Sequence, residues 1–132
     1  MIDTAFIDKI ERNSEKASFT ALNRINAEMT NRIFTDGKST DLVPLGQYSP
    51  KYGKYRRQNN RQDDYKDLEF NGDLRRSLQV GKSGVKFSLG FATTAQKLIA
   101  VYQERQTNKN IFRANKAEIN LGVETYLSII NE

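Results

Sequence analysis

The chain has 132 residues, of which 37% are hydrophobic, and this supports one folded domain, residues 1–132, with a single core. It contains no cysteine and no histidine, which excludes disulfides, thiolate chemistry and every catalytic or metal site that needs an imidazole. The net charge of +5 is uneven: residues 1–33 sum to zero, whereas residues 51–66 hold six basic residues against two acidic ones.

Residues 1–34 carry a helical pattern in which Asp3 is the N-cap and apolar residues recur at spacings of three and four. The six polar residues 11–16 interrupt this apolar pattern, which leaves open whether this is one helix or two in series. Turn-forming residues 35–41 end the pattern near Phe34. The apolar positions are Phe6, Ile7, Ile10, Ala17, Ala21, Leu22, Ile25, Met29 and Ile33.

Residues 35–67 are predicted to form a long extended loop, because prolines and glycines punctuate them and no apolar period continues. Four of the six tyrosines of the chain lie here, among arginines, and tyrosine with arginine is typical of protein interfaces. The sequence therefore predicts an extended arm that contacts a neighbouring subunit, with a merely flexible loop as the alternative. The contact residues would be Tyr48, Tyr52, Tyr55, Arg56, Arg57, Arg61 and Tyr65.

Residues 68–92 are predicted to form a β-hairpin, since apolar and polar residues alternate in its second arm, as in a strand with one buried face. Gly81 to Gly84 would form the turn. The apolar face would comprise Leu74, Leu78 and Val80 in the first arm and Val85, Phe87, Leu89 and Phe91 in the second.

Residues 93–105 are predicted to form a short helix capped at Thr93-Thr94. Ile111 and Phe112 would then return to the core. The apolar face of the short helix would consist of Ala95, Leu98, Ile99 and Tyr102.

A C-terminal helix over residues 115–131 is predicted from Asn115 as N-cap and Glu118 as its capping-box partner. Gly122 in its interior indicates close approach of another backbone, because glycine costs about 1 kcal/mol there relative to alanine. The apolar stripe of this helix would be Ile119, Val123, Tyr126, Leu127 and Ile130.

Together these elements predict an α+β fold, in which an antiparallel sheet with a central hairpin is packed by the long N-terminal helix and the C-terminal helix. No apolar segment is long enough to cross a membrane, so we expect a cytoplasmic protein.

The motifs do not favour an enzyme or a cofactor. Gly81-Lys82-Ser83-Gly84 lacks the upstream glycine of a phosphate-binding loop, and a strand follows it where a helix would be required. Asp63, Asp64, Asp67 and Glu69 could bind a divalent cation, but they lie beside an arginine-rich run, and ion pairing is the better interpretation.

The order of elements resembles the tailed-phage head-tail connector and tail-completion proteins, including the virion morphogenesis family. The likeness spans roughly residues 33–131. It depends on a short motif leading into the strands, Gly72, Leu74 and Ser77 with the basic Arg75, and on Ile111-Phe112-Arg113 before a helix capped by Asn115. Two positions depart from the family pattern, since Asn71 stands where threonine is common and no proline precedes Phe112.

The resemblance implies a structural virion protein without catalysis, which forms a homo-oligomeric ring at the head-tail junction. Its partners would be copies of itself and the neighbouring portal, adaptor or tail-tube proteins. It would reside in the host cytoplasm during assembly and then in the virion, with non-specific DNA contact as a further option.

The alternative from another class is a small basic nucleic-acid-binding domain. Residues 51–61 interleave lysines and arginines with tyrosines, and such a loop can grip phosphates and stack bases. A solvated loop or a protein contact accounts for the same composition.

Overall fold

The computed structural model describes residues 4–69 and 71–131. Asp3 and Phe70, and the side chains of Phe6, Ile7 and Ile10, lie outside the described part. The elements are α1 (Thr4–Thr30), a π-helical turn (Asn31–Thr35), α2 (Pro50–Gln58), α3 (Asp73–Ser77), β1 (Leu78–Ser83), β2 (Lys86–Phe91), α4 (Thr94–Thr107) and α5 (Lys116–Ile130).

The fold is α+β, with the long helices α1 and α5 packed together and the antiparallel β1–β2 pair packed against α1. Gly122 allows the helices to meet, because a Cβ there would lie 2.5 Å from Ile25 Cδ1 and 3.5 Å from the carbonyl oxygen of Ala21. A close approach at Gly122 was predicted, but its tightest contact is with the Ile25 side chain and not with a backbone. Within the described ranges, no helix has the length and apolar character that a bilayer crossing requires.

The first helix is continuous through the polar residues 11–16. That stretch contains no proline or glycine that would break a helix. Its residues are exposed or half-buried, so the helix has no core contact there that would require apolar side chains. The buried stripe begins at Ala17 and continues through Ala21 and Met29 to the π-helical turn, which ends at Thr35. The predicted end near Phe34 is confirmed.

The core lies where the end of α1, the hairpin and the segment before α5 converge. Ile25, Leu74, Phe91 and Phe112 are among the half-buried side chains packed against it. Its buried members are Met29, Ile33, Phe34, Leu45, Leu78 and Ile111.

The hairpin forms, but its turn and its first arm differ from the prediction. Gly81 pairs with Ser88 within the ladder, and the turn consists of Gly84 and Val85, so Val85 is exposed and not buried. Residues 73–77 form helix α3 where a strand was expected. Asn71 accepts a hydrogen bond from the backbone N–H of Asp73, which starts this helix after a left-handed Gly72.

The prediction of an extended loop at 35–67 is wrong for its middle part, because residues 50–58 form α2. The Ser49 side chain caps this helix and Pro50 occupies its first turn. Leu45 anchors the preceding stretch in the core, and the Lys66 N–H donates to the Gly46 carbonyl at 2.8 Å. The segment is therefore folded back onto the body of the chain.

The predicted caps of the last two helices are confirmed. Thr93 accepts from the Gln96 N–H, and Asn115 and Glu118 form the reciprocal capping box. The apolar faces predicted for these helices are only partly buried, however.

Candidate interaction surfaces

A buried ion pair between Arg56 and Asp67 holds α2 against the body. Arg56 is 1% exposed, and its Nη2 lies 3.1 Å from Asp67 Oδ1 while its Nε donates to the Gln62 carbonyl at 2.8 Å. Gln62 also donates to the other Asp67 oxygen at 2.7 Å. Arg56 is thus a structural residue and not part of an exposed contact surface, contrary to the sequence prediction.

Tyr48 completes this network. Its hydroxyl donates to Asp67 Oδ1 at 3.0 Å and accepts from the backbone N–H groups of Asp67 and Leu68, each at 3.1 Å. The Arg56 guanidinium lies 4.4 Å from the centre of its ring. Burial, more than any other cause, raises the pKa of Tyr48 to about 12.

The other predicted contact residues remain on the surface of α2 and the segment after it. Tyr52, Tyr55 and Tyr65 are more than one-third exposed. Arg57 and Arg61 are exposed too, and Arg57 forms an ion pair with Asp63.

Of the four acidic residues that could have bound a cation, three pair with arginines, as predicted. Besides the pairs of Asp63 and Asp67, Glu69 lies 3.1 Å from Arg75 Nε. In residues 4–69 and 71–131, no group of three or more potential ligands gathers in a metal-binding arrangement.

The residues that carry the family resemblance surround the core. Gly72 has a φ of +83° at the start of α3, Leu74 packs on the core and Ser77 is buried. Phe112 meets Phe91 edge-on with ring centroids 5.3 Å apart, and Asn115 caps α5. Their roles here are structural.

A groove of about 610 Å³ separates α2 from α4. Tyr48 and Tyr52 line one side, and Ile99, Tyr102 and several glutamines of α4 line the other. Lys66 lies in it, and burial, together with the charge of Lys109, lowers the pKa of its amine. The groove combines aromatic walls with polar groups, which suits contact with a polypeptide.

The side of α4 predicted to face the core instead faces outward. Leu98, Ile99 and Tyr102, here called the α4 face, are 63%, 45% and 60% exposed. The opposite side of this helix, around Ala100, packs inward. An exposed apolar group of this kind on one helix is a candidate contact site.

The stripe predicted for α5 is likewise mostly exposed. Ile119, Val123 and Leu127, here called the α5 face, are 46%, 50% and 49% exposed, while Ile129 and Gly122 turn inward. Ile119, Val123 and the turn residue Val85 also line a mostly apolar groove of about 460 Å³ between α5, α1 and the hairpin. This groove shares no residue with the one beside α2.

No family model, curated protein or solved structure matches this chain.

Sequence reasoning missed the outward direction of both faces. A 3.6-residue apolar period indicates one apolar side of a helix, but it does not say whether the same chain or a partner covers that side. The clue was the other side of α5, where a polar residue, Glu118, and a small one, Gly122, occupy buried positions.

Proposed function

We propose that this chain is a structural virion protein of a tailed phage, which assembles with copies of itself into a ring at the head-tail junction as a connector, tail-completion or tail-terminator subunit. The observation that carries the proposal is the pair of separate exposed apolar surfaces, the α4 face and the α5 face. Contacts between two different surfaces of identical subunits are heterologous, and they produce closed rings when the rotation between subunits closes.

The placement in a phage is supported by the family resemblance. The residues that carry it, Gly72, Leu74, Ser77, Phe112 and Asn115, cap helices or lie in and around one core. In this proposal they keep the subunit folded, and its exposed faces carry the assembly.

The segment from Tyr48 to Tyr65 adds to the contact surface as a folded unit and not as a free arm. Tyr52, Tyr55 and Tyr65 are its exposed aromatic residues, and their rings offer large contact areas at low entropic cost. The outer partners of the ring would be portal, adaptor or tail-tube proteins.

The test is native mass spectrometry and electron microscopy of the chain, alone and mixed with portal, adaptor and tail-tube proteins from the same virion. We expect the intact chain to form a ring. The Tyr52→Ala/Tyr55→Ala variant should form it less well. Leu42→Ala, at an exposed loop residue outside α2, serves as the control. Deleting residues 48–61 is unsuitable, since it removes Tyr48 and Arg56 from the buried network. Failure of the intact chain to form a ring with any of these partners would overturn the proposal.

A further inference from the structure

We propose that the ring contact joins the α4 face of one copy to the α5 face of the next, with Arg105 of the first copy paired to Glu124 of the second. This inference depends on the proposed function for the existence of a ring. The surfaces themselves identify the partner as a second copy of this chain.

The two faces match in chemistry and length. Leu98, Tyr102 and Arg105 fall in line on α4 at spacings of four and three residues, and all three are exposed. Ile119, Val123 and Leu127 fall in line on α5 at spacings of four. At a rise of 1.5 Å per residue, the lines span about 10 and about 12 Å.

The exposed charges of α4 are both positive, and α5 carries an exposed negative charge that can pair with them. Lys97 and Arg105 are the exposed charged residues of α4, because Glu104 turns inward and accepts from the Ile111 N–H at 2.8 Å. On α5, Glu118 is buried and Glu124 is exposed, two turns beyond the exposed Lys116. Within the described part of the chain, neither Arg105 nor Glu124 has an ion-pair partner.

Packing Tyr102 on Val123 brings this pair within reach. Arg105 lies three residues beyond Tyr102 and Glu124 one residue beyond Val123, so with the two helices parallel the charges lie on the same side of the contact and are separated along the helix axes by about 3 Å. An arginine side chain spans this distance. The apolar contact and the ion pair can therefore form together.

The same charges disfavour a symmetric contact between two α4 faces, because it places Arg105 near its own copy while the exposed charged residues of α4 are all positive. Like charges across an interface are unfavourable, whereas the mixed contact pairs opposite charges.

Charge reversal tests the ion pair by sedimentation velocity over a concentration series. We expect Arg105→Glu and Glu124→Arg each to weaken self-association by about tenfold or more, and the chain carrying both changes to recover most of that loss. Arg12→Glu, at an exposed position of α1 outside both faces, should have no effect. Lack of recovery in the double variant would overturn the assigned pairing.

Blocked faces test the direction of the contact. Tyr102→Asp blocks the α4 face and Val123→Asp the α5 face, and both positions are at least half exposed, so circular dichroism should show both variants folded. We expect each variant alone to be monomeric and an equal mixture to form dimers and nothing larger. Val43→Asp, at a loop valine of similar exposure, should assemble like the wild type.

Three results would overturn the inference: a Tyr102→Asp or Val123→Asp variant that still self-associates, a mixture that stays monomeric, or a wild type that stays monomeric up to about 1 mM. Rings formed by the two blocked variants would refute these faces as the ring contact, although the chain would still assemble into the ring that the proposed function requires. Absence of rings with every virion partner would instead refute the proposed function.

Discussion

Arg32 Nε lies 2.8 Å from Glu118 Oε2, so an ion pair joins the π-helical turn at the end of α1 to the first turn of α5. Arg32 also donates to the backbone carbonyls of Lys38, Ile111 and Arg113. Both charged groups are about 5% exposed. One side chain thus joins residues 32–38 to residues 111–118, two stretches that are far apart in sequence.

Glu118→Gln should destabilise the fold strongly, because it leaves the buried Arg32 guanidinium without a counter-charge. Removing one partner of a buried pair costs about 3–5 kcal/mol. Urea unfolding measures the change. The control is Glu28→Gln in the exposed Arg24–Glu28 pair, 3.3 Å apart, where a loss of about 0.5 kcal/mol or less is expected. Similar losses in the two variants would contradict the structural role of Arg32.

Gly72→Ala should lower the free energy of unfolding by about 1–2 kcal/mol. Gly72 has a φ of +83°, and this left-handed conformation is unfavourable by about that amount for a residue with a side chain. A Cβ there would also displace the Arg76 guanidinium, whose Nη1 would lie 2.6 Å away. Gly81→Ala is the matched control, since no atom lies within 4 Å of a Cβ at that position. We expect a change of about 0.5 kcal/mol or less there. Equal denaturation midpoints for the two variants would refute this assignment.

Tyr48→Phe should destabilise the chain at neutral pH by about 1–3 kcal/mol, because the backbone N–H groups of Asp67 and Leu68 lose their acceptor. The native state raises the pKa of Tyr48 from 10.0 to about 12, so it favours the protonated phenol. That contribution is complete below pH 10 and is lost as the pH rises towards 12.

The difference between wild type and Tyr48→Phe should therefore shrink between pH 10 and 12. Guanidinium unfolding of both proteins at pH 7 and across this range measures it. Tyr55→Phe, at a tyrosine that is 49% exposed, is the control for general alkaline effects. A difference that stays constant with pH would show that Tyr48 ionises equally in both states.

Binding to duplex DNA should be weak, unspecific and lost near physiological salt. Arg56 is buried and Arg57 is paired with Asp63, so residues 51–61 offer fewer cations to phosphates than the sequence suggests. Each phosphate contact contributes about 0.9 to the slope of log affinity against log salt concentration. Measuring the affinity over a series of salt concentrations therefore counts the contacts. Tight, sequence-selective binding that persists at physiological salt would favour the nucleic-acid alternative over assembly.

The sequence by itself determined the elements whose signals are local. Helical spacing predicted α1, α4 and α5, Asn115 with Glu118 located the start of α5, and the alternation in residues 85–91 located β2. Ser49 followed by Pro50 was a usable start signal for α2 that was overlooked. Caps and periods act within a few residues, so they can be read without knowing the rest of the fold.

Only the tertiary structure decided which groups are covered. Arg56 is buried because Asp67 neutralises it, and Arg32 is buried because Glu118, 86 positions away, does the same. The α4 and α5 faces stay exposed because the opposite sides of these helices pack inward, around Ala100 on α4 and around Gly122 against α1 on α5. Burial and charge pairing depend on neighbours that are distant in the chain, and no local pattern encodes them.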